Sequence, residues 1–388
     1  MSKLDELIAE LCPDGAIHMT LGDYEDMGLI TLGRGNVISK KDIDAFPGNY
    51  PVYSSSANSD GEFGRYGKFM FADVRISWSI DGGGKFFYRN EHCYSLTNVS
   101  GWLKVNDSTQ VDARYLFYSL MNEWGKKVYD YIHKAHPSVI RKEYVLPLPP
   151  LPVQQEIVRI LDNFTELTAE LTAELTAELI ARKKQYEYYR NKLMTFGDDV
   201  PKGTLGAVAM NLDSKRKPVT KGDRESGEYP YYGASGIVDY VSDYIFDGDY
   251  LLVSEDGANL VARVTPIAFS ASGKIWVNNH AHVLKFETYI ERRFIEYYLN
   301  MIDLSRFIST AAQPKLTQDN LNKIPVPTPS FEEQARIVAI LDRFDALCND
   351  LTSGLPAEIE ARRKQYEYYR DKLLTFPSRP ADEKEASA

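Results

Sequence analysis

Residues 181–190 read ARKKQYEYYR and residues 361–370 read ARRKQYEYYR, an offset of 180. The register holds on both sides of this block. IVRILDNF at 157–164 faces IVAILDRF at 337–344, and Thr195-Phe196 faces Thr375-Phe376. A near-identical block repeated once, with equal length between its parts, restricts the chain to two copies of one plan. Between these blocks the repeat is weaker and its offset drifts. Tyr50-Pro51-Val52-Tyr53-Ser54-Ser55-Ser56 faces Tyr229-Pro230-Tyr231-Tyr232-Gly233-Ala234-Ser235 at 179. Phe71, Ser79, Asp81 and Gly82 face Phe246, Ser254, Asp256 and Gly257 at 175, and Leu103-Lys104 faces Leu284-Lys285 at 181. Drifting offsets imply globular regions free to vary their loops; the fixed offset implies elements whose length matters.

The fixed elements read as long helices. Each follows a proline cluster, Pro147 to Pro152 or Pro325 to Pro329, which marks a boundary because proline cannot continue a helix. Apolar residues then fall at Ile157, Ile160, Phe164, Leu167, Leu171, Leu175 and Leu179, in steps of three and four, and TAEL occurs three times in 168–179. At ~1.5 Å per residue a helix over 151–196 runs to roughly 65–70 Å. Its leucine stripe has to be buried, and the second copy at 330–376 is the matching partner for an antiparallel coiled coil. The globular regions 1–150 and 197–329 mix strand patterns, such as 69–80 and 249–256, with short helical ones at 112–123 and 290–301. The expected fold is therefore α+β: two pseudo-symmetric globular domains joined by two long helices. Residues 377–388 read as a disordered tail.

Composition narrows the function classes. The chain of 388 residues is 44% apolar and 26% charged, the mix of a soluble protein, with no run of about 18 apolar residues and no signal peptide. Cys12, Cys93 and Cys348 are far apart and in no CxxC spacing, which argues against a disulfide framework and for a reducing, cytoplasmic setting. Net charge is −10, and in none of the four segments do basic side chains outnumber acidic ones. Binding to nucleic acid would require a local patch or a basic partner.

Searches for catalytic signatures fail. There is no GxxxxGK[ST], GxSxG or HExxH. Asp81-Gly82-Gly83-Gly84-Lys85 reads as a tight turn between strands rather than a phosphate cradle. His280 and His282 would share a face of a strand, but no third metal ligand is evident, so they read as structural or DNA-facing. Cys93 beside His92 reads as a buried cysteine. No carboxylate pair stands out for acid–base work, and the chain reads as no enzyme by itself, with no cofactor or metal of its own. Tyr, 26 of 47 aromatic residues, gathers at the ends of the long helices and in the Tyr/Gly/Ser loops 50–57 and 229–236. Tyr186, Tyr189, Tyr366 and Tyr369 are candidates for a protein interface, with coiled-coil packing the alternative.

The proline lead-in before Glu333-Gln334-Ala335-Arg336-Ile337-Val338-Ala339-Ile340-Leu341-Asp342-Arg343-Phe344, the YPYYGASG loop at 229–236 and the repeated helices resemble the specificity (S) subunit of type I restriction–modification systems. The TAEL repeats and KQYEYYR endings resemble its type IC branch. In one departure, Val153-Gln154 stands where the second copy has Glu333-Gln334. The resemblance implies a non-catalytic adaptor whose two target-recognition domains each read half of a bipartite double-stranded DNA target. It further implies helices that set the separation of those domains and dock two methyltransferase subunits. A restriction (motor–nuclease) subunit would join them, with S-adenosylmethionine and ATP/Mg on the partners. DNA-contact candidates are Lys85, Lys134, Arg141, Lys142, Lys215, Arg216, Lys217 and Lys315 for phosphates, and Ser54, Ser55, Asn58, Tyr232 and Ser235 for bases. On the residues alone, a coiled-coil scaffold that ignores DNA and an autonomous enzyme with an unrecognised site both stay open.

Overall fold

A computed structural model describes residues 2–56, 60–90, 92–130, 132–309, 313–350 and 352–379. The chain divides into two compact units, 1–173 with 360–388, and 174–359. The proline clusters end short strands, and the next residues start helices. In the first unit Gln154 is fully buried, its Nε2 donating to Pro149 O at 2.7 Å; in the second, Gln334 Nε2 donates to Pro329 O at 3.0 Å. The departure from Glu-Gln to Val-Gln therefore leaves this bond to the proline cluster unchanged. The helix that follows in the first copy is one continuous element, Leu151–Leu193. The second copy is interrupted: Phe331–Asn349 stops, and Leu355–Leu374 restarts after Gly354. DALCNDLTSGLP replaces the Ala/Glu/Leu repeat here. Asp350 Oδ1 accepts from Thr352 N (2.7 Å) and Thr352 Oγ1, a local turn that competes with the helical ladder.

In the first unit, the sheet order is Ile30–Arg34, Ser100–Val105, Arg75–Ser79, Phe86–Arg89, all antiparallel. A smaller sheet orders Glu62–Tyr66, Tyr50–Tyr53, Ser95–Leu96, the last pair parallel. Ala113–Trp124 packs on these strands, and Asp112 caps it by accepting from Arg114 N and Tyr115 N. A separate core gathers Leu4, Tyr115, Tyr118, Val153, Ile157, Leu161, Leu374 and Phe376, where helix 151–173 meets the chain-terminal helix. Each such aliphatic side chain contributes about 1.5–3 kcal/mol by leaving water. Pro377–Arg379 continue this packing. Ala16 N donates to Pro377 O at 3.0 Å and Arg379 N to Ala16 O at 3.1 Å, while residues 380–388 lie outside the described residues.

The second unit holds one six-stranded sheet in the order Met210–Asn211, Ala281–Lys285, Phe246–Ser254, Ala268–Val277, Ser226–Gly233, Gly236–Val241. Tyr289–Met301 covers it, with a capping box between Thr288 and Glu291. The two units share a topology. Val52↔Ser95 and Tyr53↔Leu96 pair in parallel, as do Tyr231↔Trp276 and Tyr232↔Val277. Thr97 N donates to Tyr53 O as Asn278 N donates to Tyr232 O.

Candidate nucleic-acid interface

The weak repeats, drifting in sequence, converge in space within each unit. In the first unit the Tyr/Ser loop, the strand-end turn and a lysine segment meet. Ser55 Oγ bonds Ser79 Oγ, Asp81 N donates to Ser55 Oγ at 3.2 Å, and Lys134 Nζ lies 2.9 Å from Asp81 Oδ1. Thr97 Oγ1 donates to Ser54 Oγ at 2.9 Å. In the second unit Ser254 Oγ donates to Ala234 O in the matching loop, and Lys315 Nζ lies 3.0 Å from Glu255 Oε1. Asp256 is bridged to Lys315 through the backbone and bonded to His280 Nδ1 at 2.8 Å. Both lysine side chains are nearly half exposed, 45% and 47%. Each unit thus presents a small-residue loop and a cation at the end of an interior strand of its sheet, the chemistry that suits base edges and phosphate respectively.

Arg89 fixes the far end of the first loop. It is 6% exposed, lies 3.5 Å from the Tyr53 ring centroid, and donates to Ser77 Oγ at 2.9 Å and to Asp60 O at 2.7 Å. Burial lowers its guanidinium from the ordinary value, with nearby Tyr53 and Asp60 acting in opposition.

The sequence candidates separate into groups. Ser54, Ser55 and Lys134 stand together, whereas Lys85 follows the Asp81–Gly84 turn, which links two strands as expected, and its Nζ lies over the Phe87 ring at 5.5 Å. Tyr232, Ser235 and Lys315 belong to the corresponding region of the second unit, though Tyr232 is half-buried, stacked on Phe269 and pushed up by burial. Arg216 stands apart from these. Its side chain is 12% exposed, pairs with Glu255 at 2.5 Å and donates to Ala281 O at 2.9 Å, so it serves the interior of the unit. Lys215 and Lys217 are exposed on the same segment, and Lys217 O accepts from Trp276 Nε1. Arg141 is drawn away, pairing with Glu25 at 3.2 Å and Asp26 at 2.5 Å; Lys142 beside it is exposed. Asn58 lies outside the described residues.

His280 and His282 do not share a strand face, because the strand begins at Ala281. His280 is exposed, whereas His282 is fully buried against Asp213 and Glu255. Those three groups could be read as metal ligands, since their ligand atoms lie within 4.8 Å of one another. Their bonding argues otherwise. His282 Nδ1 faces Asp213 Oδ2 at 2.6 Å and Nε2 faces Leu316 O at 2.8 Å, so each ring nitrogen already has a protein oxygen as its partner. The carboxylates are engaged by Arg216 and Lys315. Burial works against ionising Asp213 and Glu255, but hydrogen bonds and charges from His282, Arg216 and Lys315 prevail and hold both below their usual values. The cluster is an ion-pair network.

Of the interface candidates, Tyr186 and Tyr366 turn inward. Tyr186 packs on the second unit's core and on Phe344, and burial pushes it up to about 12. Tyr366 hydroxyl bonds Thr165 Oγ1 at 2.9 Å. Tyr189 and Tyr369 are partly exposed, lying against Phe344 and Phe164. Their neighbours Tyr188 and Tyr368 are the outward rings, 60% and 62% exposed.

One repeated constellation escaped the sequence reading. Arg114 Nε donates to Asp162 Oδ1 at 3.0 Å, and Tyr118 hydroxyl donates to the same atom. Arg293 Nε donates to Asp342 Oδ1 at 3.0 Å, joined there by Tyr297 hydroxyl at 2.6 Å. Arg and Tyr recur at an offset of 179 and the Asp at 180, a signal present in the sequence but diluted by unlike neighbours. These clamps fasten each unit's covering helix to its long-helix segment.

The family model described as "Type I restriction modification DNA specificity domain" matches residues 23–181 and again 198–361. The chain belongs to this family. Among its relatives, a putative type I restriction enzyme specificity subunit of Haemophilus influenzae is 41% identical over 184 residues, 46% of this chain and 47% of that one. The EcoprrI specificity subunit of Escherichia coli is 36% identical over 268 residues, covering 64% and 65%. The first of these matches thus spans about half of the relative's length and the second just under two thirds. The EcoR124I/EcoR124II specificity subunit of Escherichia coli is 34% identical over 302 residues, 70% of this chain and 72% of that one. The crystal structure of the S subunit from M. genitalium shares the fold at a TM-score of 0.51 and 18% identity, covering 92% and 96%. A chain from a structure concerning complex assembly and conformational transition of the type I R-M system does so at 0.61 and 14%, covering 94% and 98%. No helix among the described residues is long and apolar enough to cross a membrane.

Proposed function

We propose that this chain is the DNA sequence-recognition subunit of a type I restriction–modification enzyme, each unit reading one half of a bipartite duplex target. The observation that carries this reading is the paired convergence: loop, strand-end turn and half-exposed lysine meet at corresponding positions in both units. Two readers of one design match two half-sites. Lys134 and Lys315 contact phosphate, exchanging their carboxylate partners for DNA oxygens; Ser54, Ser55 and Ser235 face the grooves. The chain supplies no catalytic group. Methylation and cleavage belong to methyltransferase and restriction subunits that it recruits, and S-adenosylmethionine and ATP/Mg bind there. Shared phosphate neutralisation across such an assembly reconciles DNA binding with a net charge of −10.

The test is to map methylated bases in DNA from cells expressing the chain with its methyltransferase subunits, then to repeat it after exchanging residues 1–150 for those of a relative. A bipartite motif in which one half alone changes is the expected result. No motif, or simultaneous change of both halves, refutes the reading.

A further inference from the structure

In each unit the exposed lysine precedes a fully buried residue, Lys134 before Ala135 and Lys315 before Leu316. The buried backbone is held from two sides. Its N–H donates to Ile80 O at 3.2 Å in the first unit and to Glu255 O at 2.7 Å in the second, residues 175 apart. Its carbonyl accepts from a buried ring N–H: Trp78 Nε1 at 2.7 Å for Ala135, His282 Nε2 at 2.8 Å for Leu316.

These rings come from one cross-strand position. Trp78 pairs with Gly101, and Val253 pairs with His282. The offsets are 175 and 181, those of the surrounding repeats. The donor has changed sides of the pair. A Cβ on Gly101 would lie 2.2 Å from the Trp78 ring, so the indole occupies the room that a side chain there would need. Indole donates from one nitrogen and stays neutral, whereas the imidazole must satisfy two. His282 Nδ1 lies beside two carboxylates, Asp213 at 2.6 Å and Glu255 at 3.7 Å. Each ring nitrogen therefore faces a protein oxygen, and the two carboxylates are shared with Arg216 and Lys315.

We propose that His282 is the positioning residue for the Lys315 segment, so that reading by the second unit depends on a buried ion network where the first unit uses the neutral Trp78. The proposal rests on the DNA-reading assignment above. His282 does not touch DNA. It fixes the backbone of residue 316 and, through Glu255, the rest position of the Lys315 ammonium, so that the lysine is pre-organised for phosphate.

The experiment measures affinity of the chain assembled with its methyltransferase subunits for three duplexes: the mapped target, the target scrambled in the second unit's half, and the target scrambled in the first unit's half. His282→Gln should lower affinity for the intact target about tenfold or more, the scale of a lost charged hydrogen bond. It should abolish the penalty for scrambling the second half and retain the penalty for the first. Trp78→Phe should do the reverse. If the wild-type assembly distinguishes none of the duplexes, the DNA-reading assignment fails. If it distinguishes them and His282→Gln keeps its second-half penalty, or both variants relax the same half, the positioning role is overturned. A measurement on the wild-type chain needs no variant to fold: with ¹⁵N-histidine, His282 Nε2 should carry a ring proton shared with the Leu316 carbonyl. An Nε2 without that proton would overturn the positioning contact.

Discussion

Truncating Asp342 and Asp162 to alanine should cost unequal amounts, although the two clamps repeat one design. Asp342 accepts from Arg293 Nε and Nη2 at 3.0 and 2.8 Å, from Tyr297 hydroxyl at 2.6 Å, and on its other oxygen from Tyr289 hydroxyl at 2.7 Å. Arg293 is 12% exposed and Tyr297 4%, so Asp342→Ala strands a buried cation and a buried hydroxyl. Breaking a fully buried pair costs about 3–5 kcal/mol. Here Asp342 is 27% exposed and Arg293 keeps Glu296 at 2.8 Å and Asp345 at 3.0 Å, which brings the expectation to ~2–3 kcal/mol. In the first unit Arg114 and Asp162 are 33% and 43% exposed, so water can replace much of that bond, and the Tyr118 hydroxyl, though buried, keeps Thr165 Oγ1 at 3.4 Å, leaving ~1–2 kcal/mol. Hydrogen exchange of the full chain reads the two covering helices separately. Amides of Tyr289–Met301 should lose more protection in Asp342→Ala than those of Ala113–Trp124 lose in Asp162→Ala. A double-mutant cycle between Tyr297→Phe and Asp342→Ala should give a coupling of at least ~0.5 kcal/mol. Equal losses, or additive effects in the cycle, would refute the argument that burial decides the strength of the clamp.

Acid should weaken the second unit through its ion network. Asp213 and Glu255 are held below the ordinary values of 3.8 and 4.5, so their stabilisation is full above those values and is lost as pH falls through the folded ones; Asp213→Asn should flatten that limb of a pH-unfolding profile. Tyr188→Ala with Tyr368→Ala should weaken assembly with the methyltransferase subunits at unchanged thermal stability, whereas Tyr186→Ala with Tyr366→Ala should lower the melting temperature; the reverse pattern, by calorimetry and co-purification, assigns the outward rings to packing. Deleting residues 172–175 removes one TAEL from the continuous helix Leu151–Leu193, about 6 Å at ~1.5 Å per residue with a net rotation of only ~40°. Methylome mapping should then show both half-site sequences unchanged and the spacer one to two base pairs shorter; an unaltered spacer or altered half-sites refutes the ruler.

The duplication, the proline-bounded helices and the mixed character of the globular regions were determined by the sequence itself, because each has a local physical cause. Proline stops a ladder wherever it falls, and Ala, Glu and Leu at helical spacing form a stripe irrespective of what packs on it. Part of the convergent site was foreshadowed: Ser55, Ser79 and Asp81 each had a partner in the repeat, at offsets that wandered with loop length, while Lys134 and Lys315 were matched only by the structure. Contacts across large separations were decided only by the tertiary structure. Pairing Arg216 with Glu255 rather than with solvent needs the two segments, 39 residues apart, to meet, and Arg216 looks no different from Lys215 in a linear reading. Tyr186 and Tyr188 differ by two positions on one helix, yet one is core and the other surface, because only the packed partner, with Phe344, says which face is covered. Trp78 and His282 share no residue type, motif or strand position in the sequence. They became equivalents only when strand register set them in the same cross-strand pair, where geometry asks for a ring N–H and leaves open which side supplies it.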